Sequence, residues 1–189
     1  MNITDERLAL FLLLGQSATK DIAARPDVAP PETLRISELH DLTALLPEAS
    51  RLAFKAAEAY KLFFVFETYL RELLVEVLSK DGTEEWWDKL PVDVQDEVSK
   101  LSETEDTKSW MALGSRDKSA LMTYPQLLRG IEHRWKSDFE ELIRDRALVQ
   151  QARLIGHLRN TICHMSAIPE EEMERIRQTI RDWFRRVAP

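Results

Sequence analysis

From Glu48 to Lys80 the chain runs about nine helical turns without a proline or a glycine. Leu52, Ala56, Ala59, Phe63, Phe66, Leu70, Leu73 and Val77 recur along it at three- and four-residue steps, which places them on one face of a helix. A half-buried strand would alternate at every residue, so this pattern commits the middle of the chain to a long helix, packed against others that cover its stripe. Phe64, Val65, Tyr69 and Leu74 fall off the stripe and predict burial on more than one side. Asp81-Gly82 closes the helix.

The rest of the chain carries the same period. Thr83 reads as the cap of a short turn holding Trp86 and Trp87, and Pro91 restarts the chain. Val92 to Asp106 reads as a solvated acidic helix and loop, and Ser115 to Lys118 as a turn. Tyr124-Pro125 opens a helix with Leu127, Leu128, Ile131, Trp135, Phe139, Leu142 and Ile143 on its inner face. Arg146 to about His164 is the next helix, and Ile168-Pro169-Glu170 starts the last, with Met173, Ile176, Ile180, Phe184 and Val187 turned inward.

Upstream, Thr4 caps a first helix that ends before Pro26, and Pro26, Pro30 and Pro31 mark a turn or linker. Leu34, Ile36, Leu39, Leu42 and Leu46 predict a second helical stretch over Glu32 to Leu46, suited to a lid or a dimer arm. No strand alternation or internal repeat stands out. The expectation is an all-α protein: an antiparallel bundle of about four main helices over residues 48–189, with an N-terminal helical extension over 1–47.

Composition narrows the function. A chain of 189 residues supports one core of ordinary size, and 44% apolar with 31% charged residues describes a globular protein. Cys163 is the sole cysteine, so the chain forms no internal disulfide and no thiolate cluster, which fits a reducing, cytoplasmic setting. The apolar run Leu8 to Leu14 is too short to span a bilayer, and Asp5 and Glu6 precede it where a secretory signal carries basic residues. A net charge of −7 argues against indiscriminate nucleic-acid binding. The charge is unevenly spread, however: Asp81 to Asp106 is strongly acidic, whereas Arg144 to Pro189 holds nine arginines against six acidic residues. An anionic ligand would favour that C-terminal part.

In the helix starting at Arg146, Arg153, His157, Asn160 and His164 lie within about forty degrees of one another, on a face apart from Leu154, Ile155, Leu158 and Ile162. Asn160 stands one turn before His164, where its amide can steady the imidazole. Arg159 points about 140 degrees away from His164. Taken alone, such a stripe is more often a solvated helix face than a site. His157 and His164 are too far apart in sequence, and too short of acidic or thiol neighbours, to be read as a metal site, and no cofactor is implied. Phosphate loops and nucleophile elbows are absent, and Cys163 reads as a small residue packed in the helix.

Arg159-Asn160 followed by His164 nonetheless resembles the Arg-x4-6-His signature of the HEPN superfamily, including the Arg-Asn start that many members share. Phe66-Glu67-Thr68-Tyr69-Leu70-Arg71-Glu72-Leu73, Trp86-Trp87 with Leu90-Pro91, Leu121-Met122-Thr123-Tyr124, and Trp135 with Phe139 occur in the expected order. Together, over roughly Phe54 to Val187, they resemble the branch found in a eukaryotic nuclear RNA-surveillance endoribonuclease and in bacterial proteins linked to phage defence. The toxins paired with nucleotidyltransferase antitoxins place a Tyr two residues after the His; here Ser166 stands there.

The resemblance implies a helical homodimer in which two motifs face each other across one cleft and cut RNA without metal. One His164 would take the proton from a ribose 2′-hydroxyl while the other protonates the leaving 5′-oxygen, and Arg159 would stabilise charge on the phosphoryl oxygens. Asn160 belongs to the same catalytic set, with Glu67, Arg71 and His157 in support. Glu67 and Arg71, one turn apart, read first as a structural ion pair or a prop for the motif. Arg153, Arg177 and Arg181 are the candidate RNA contacts, although arginines so placed more often line a solvated face. Trp86 and Trp87 are of a kind that stacks on bases, but paired tryptophans beside a proline are more often core. A neutralising or defence-system partner protein is a further expectation. The competing readings are a non-cleaving HEPN module that dimerises or binds RNA or nucleotides, and an unrelated helical adaptor.

Overall fold

The N-terminal apolar periodicity does not become a second helix. In a computed structural model of the chain, residues 11–16, 18, 34–37, 39–80, 82, 85–107 and 117–187 are described. Within them, Arg35–Ser37 (β1) and His40–Asp41 (β2) pair antiparallel as a small hairpin with an irregular register, Arg35 opposite Asp41 and Ser37 opposite His40. The Asp41 side chain accepts the Thr43 amide at 2.9 Å and so starts a one-turn helix, Leu42–Leu45 (α1), where a continuous helix was expected. Leu34, Ile36, Leu39, Leu45 and Leu46 are exposed, so no buried surface enforces the helical period there. Residues 11–16 are helical, as expected of the first helix; Thr4, Pro26, Pro30 and Pro31 lie outside the described residues.

The chain divides into two compact units, Met1–Phe54 and Lys55–Pro189. The long helix is Pro47–Ser79 (α2), and the glycine after it, Gly82, has the left-handed φ of 60° that closes a helix without a side-chain penalty. In the second unit, Ala59, Phe63, Phe66, Leu70 and Val77 are buried as the stripe predicts. Of the residues off the stripe, Leu74 is buried and Tyr69 packs against the core, but Phe64 and Val65 are exposed, which corrects the expectation of burial for that pair.

Val92–Thr107 (α3) is amphipathic rather than wholly solvated, since Val94 and Val98 are fully buried. Trp87 belongs to the core and Trp86 packs on it, edge to face at 5.6 Å, so the core reading of this pair holds. Asp117 caps the one-turn helix Lys118–Leu121 (α4) through the Ser119 amide. Asp81, Thr83 and Ser115 lie outside the described residues.

The helix expected from Tyr124 to Ile143 is divided into three stretches. Tyr124–His133 (α5) starts from a Thr123/Gln126 capping box; Trp135–Phe139 then widens into a π-helical turn before Glu140–Ile143 (α6). Trp135 and Phe139 are both buried, and the extra residue in this turn accompanies an Arg134–Asp138 ion pair at 2.8 Å. Arg144 takes a left-handed φ of 61°, and Asp145 caps Arg146–Cys163 (α7) through the Ala147 amide. Glu170–Val187 (α8) is the last helix, with Met173, Ile176 and Val187 buried, Ile180 and Phe184 packed against the core, and Trp183 at its centre. The second unit is thus an all-helical bundle, in which α7 lies against α5 and α8.

Candidate nucleic-acid site

The end of α7 is held by its backbone. Met165 adopts a left-handed φ of 59°, its amide bonds to the Ile162 carbonyl at 2.9 Å, and the Ser166 amide returns to Thr161 at 3.2 Å. That pair of bonds is a Schellman closure, and it places His164 at the helix cap. The His164 side chain is exposed, and its amide bonds to the Asn160 carbonyl at 3.0 Å. Among the described residues no side-chain hydrogen bond joins Asn160 to the His164 ring, contrary to the expectation that the Asn160 amide steadies it. The helix backbone alone relates the two.

Arg159 leaves the opposite side of α7 and meets α2. Its Nε lies 3.4 Å from Glu67 Oε2, while Glu67 Oε1 lies 3.4 Å from Arg71 Nη2. Arg71 is tied down further by Nε donation to the Ser119 carbonyl at 2.8 Å and a longer bond from Nη2 to Met122. Glu67 therefore stands between two guanidiniums, and all three side chains are mostly buried. The expected Glu67–Arg71 pair is present, and it reaches the motif through Arg159.

Tyr124 fixes α5 against α7: its hydroxyl donates to the Ala152 carbonyl at 2.7 Å, and its ring meets Phe63 edge to face. Burial, with a smaller contribution from the negative charge of Glu67, pushes this phenol far above its ordinary range, so the donor proton stays in place. A Cβ on Gly156 would come 3.4 Å from the same ring, which is ordinary contact distance.

Two concavities flank α7. The first, of about 210 Å³, lies between α2 and α7 and is lined by Tyr60, Phe64, Thr68, Arg71, Arg159 and Cys163 among others. The second, of about 230 Å³, lies between α5 and α7 and takes in Arg129, Arg153, His157 and Asn160. Arg159 thus faces one hollow and His157 and Asn160 the other. Cys163 is exposed at the rim of the first rather than packed in the helix, because the core side of this turn is already filled by Ile162.

Of the candidate RNA contacts, Arg153 and Arg177 are neutralised locally. Arg153 pairs with Glu132 at 2.9 Å, and Arg129 binds Asp93 and Glu97. Arg177 is shared by Glu170 and Glu174, which hold its guanidinium above its usual range, and Arg181 bonds to Gln178. His157 and Asn160 are exposed. Among the described residues no cluster of three or more His, Cys, Asp or Glu has the geometry to hold a metal ion, and no helix is long and apolar enough to cross a membrane.

Of the residues lining the first hollow, Tyr60 was not singled out from the sequence, Phe64 was expected to be buried, and Thr68 stood only within the family motif. Their four-residue spacing, continuing into Glu67 and Arg71 on the same helix, is the signal that would have found them. A family model described as Swt1-like HEPN matches residues 61–188, a span that begins one residue after Tyr60 and includes Glu67, Arg71, Arg159 and His164. No match was found among curated proteins or among solved structures. With well over half of its length inside that match, the chain belongs to the Swt1-like HEPN family.

Proposed function

We propose that this protein is a metal-independent endoribonuclease whose site is completed by a second copy of the chain. The observation that carries this reading is the placing of Arg159 and His164 on different sides of α7, with one motif per chain. Transesterification at phosphorus needs both a base and an acid, and a single exposed His164 fills one of those roles at a time. Two copies related by a two-fold axis supply two imidazoles.

In the reaction, one His164 takes the proton of the ribose 2′-hydroxyl, and the 2′-oxygen bonds to phosphorus. The P–O5′ bond breaks, and the other His164 protonates the departing 5′-oxygen. The products are a 2′,3′-cyclic phosphate and a 5′-hydroxyl. Arg159 stabilises the charge that builds on the non-bridging oxygens, and Glu67, itself held by Arg71, orients Arg159. Asn160 and His157 border the strand path, with Arg153 and the α8 arginines Arg177 and Arg181 as backbone contacts; Arg153 and Arg177 must exchange acidic partners for phosphate, and Arg181 its bond to Gln178. HEPN domains commonly bind RNA and dimerise, which supports the assignment. A phage-defence or toxin-like role, with a partner protein restraining cleavage, fits such an enzyme.

One observation favours a second reading. Arg159 is engaged by Glu67 rather than left open, as would suit a non-cleaving module that binds RNA or nucleotides. The two readings part on assembly and turnover. Sedimentation equilibrium at micromolar concentration is expected to give twice the chain mass, with RNA cleavage by that species. A strict monomer that cleaves RNA would contradict the shared site.

A further inference from the structure

The hollow between α2 and α7 has a composition that the phosphate chemistry alone does not use. Tyr60 and Phe64 are 54% and 60% exposed, with ring centroids 6.1 Å apart on successive turns of α2. They share this hollow with Thr68 and with the Arg71–Glu67–Arg159 group. Two guanidiniums there divide one carboxylate, which leaves a net positive charge beside an aromatic wall. The tryptophan pair that sequence alone offered for stacking is occupied in the core. Aromatic faces next to arginines whose charge one carboxylate only partly offsets are the combination that holds an unpaired base and its phosphate together.

We infer that this hollow is a base-binding subsite, in which a nucleobase of single-stranded RNA stacks on Tyr60 or Phe64 while the adjoining phosphate meets Arg159. The inference rests on the ribonuclease reading and adds to it the state of the substrate: unpaired, with the base beside the scissile phosphate turned out of its stack. A duplex presents its bases edge-on in the grooves and offers no ring face to this wall. Thr68 and Glu67 also line the hollow, and a hydroxyl and a carboxylate are the kinds of group that hydrogen-bond a base edge. Charge favours this occupant, because the phosphate of an RNA strand supplies the counter-ion that the extra guanidinium charge calls for while its base covers the exposed rings.

The test uses the full chain carrying His164→Ala, so that RNA is bound without turnover. Fluorescence anisotropy compares a short single-stranded RNA with an abasic ribose-phosphate strand of the same length. The expected result is at least about tenfold tighter binding of the strand with bases, the scale of losing one stacked base. Adding Tyr60→Ala with Phe64→Ala is expected to abolish that preference while leaving abasic-strand binding unchanged. Tyr60→Phe is expected to keep the preference, since a ring face rather than a hydroxyl is used. Both rings are more than half exposed, so the substitutions leave the core intact. A preference for bases that survives the double substitution would overturn the subsite while leaving the ribonuclease reading standing. Halving of the sedimentation mass by the double substitution would identify the wall as a subunit interface and overturn it equally. Failure of both strands to bind any form of the protein would remove the ribonuclease reading, and the subsite with it.

Discussion

His164→Ala is expected to keep the fold and the dimer and to lower RNA cleavage by at least about a hundredfold, the usual scale for removing a positioned acid or base. The side chain is exposed at the cap of α7, and the Schellman closure there is built from backbone amides and carbonyls. Replacing an exposed side chain typically shifts stability by only about half a kcal/mol, so lost activity cannot be blamed on unfolding. Arg159→Ala is expected to cause a comparable loss through phosphoryl charge. It differs in one respect: the substitution releases Glu67 from one of its two guanidiniums, and Arg71 remains to hold the carboxylate. Initial cleavage rates on one RNA, with circular dichroism and sedimentation on each variant, check both. Full activity in His164→Ala at the wild-type cut sites would show that the stripe on α7 is only a solvated helix face.

The largest expected effect on stability is at Trp183. This indole is fully buried on α8 and meets Phe66 of α2 edge to face at 5.5 Å, so it joins the last helix to the longest. Trp183→Ala removes the largest of the fully buried side chains and leaves a cavity in the core. The cost is about 3–5 kcal/mol, taken from a total that for most domains is about 5–15 kcal/mol. Thermal unfolding is expected to shift down by about 10 °C or more. A shift within about 2 °C would mean that α8 does not pack where it is placed here.

The elements legible in the sequence are those whose burial follows a simple period. Ala59, Phe63, Phe66, Leu70 and Val77 on α2, and Met173, Ile176, Ile180, Phe184 and Val187 on α8, announce their inner faces because one continuous core covers each. The same spacing misleads between Leu34 and Leu46: no buried surface rewards it there, and Asp41 takes the Thr43 amide. The π-helical turn at Trp135–Phe139 was illegible for a related reason. A stripe at three- and four-residue steps is satisfied by either ladder, and the wider one found here keeps Trp135 and Phe139 both buried.

For the site, the angular separation of Arg159 from His164 followed from helix geometry alone. Its consequence did not. Glu67 and Arg159 are far apart in sequence, and their meeting depends on how α2 and α7 cross. The pairing of Arg153 was obscured in the same way, because Glu132 is brought to it by packing, whereas Glu170 and Glu174 sit on the helix of Arg177 and were open to view.

The central claim is 2′-hydroxyl chemistry at the Arg159/His164 site without metal. It is tested most directly by following cleavage of one RNA in excess EDTA, beside the same RNA carrying a single 2′-deoxy sugar at the cut site. The expected result is undiminished cleavage of the first, with the upstream product ending in a 2′,3′-cyclic phosphate, and no cleavage of the second at that position. Cleavage of the deoxy-substituted strand at the same bond, or activity abolished by EDTA and restored by zinc or manganese, would contradict it.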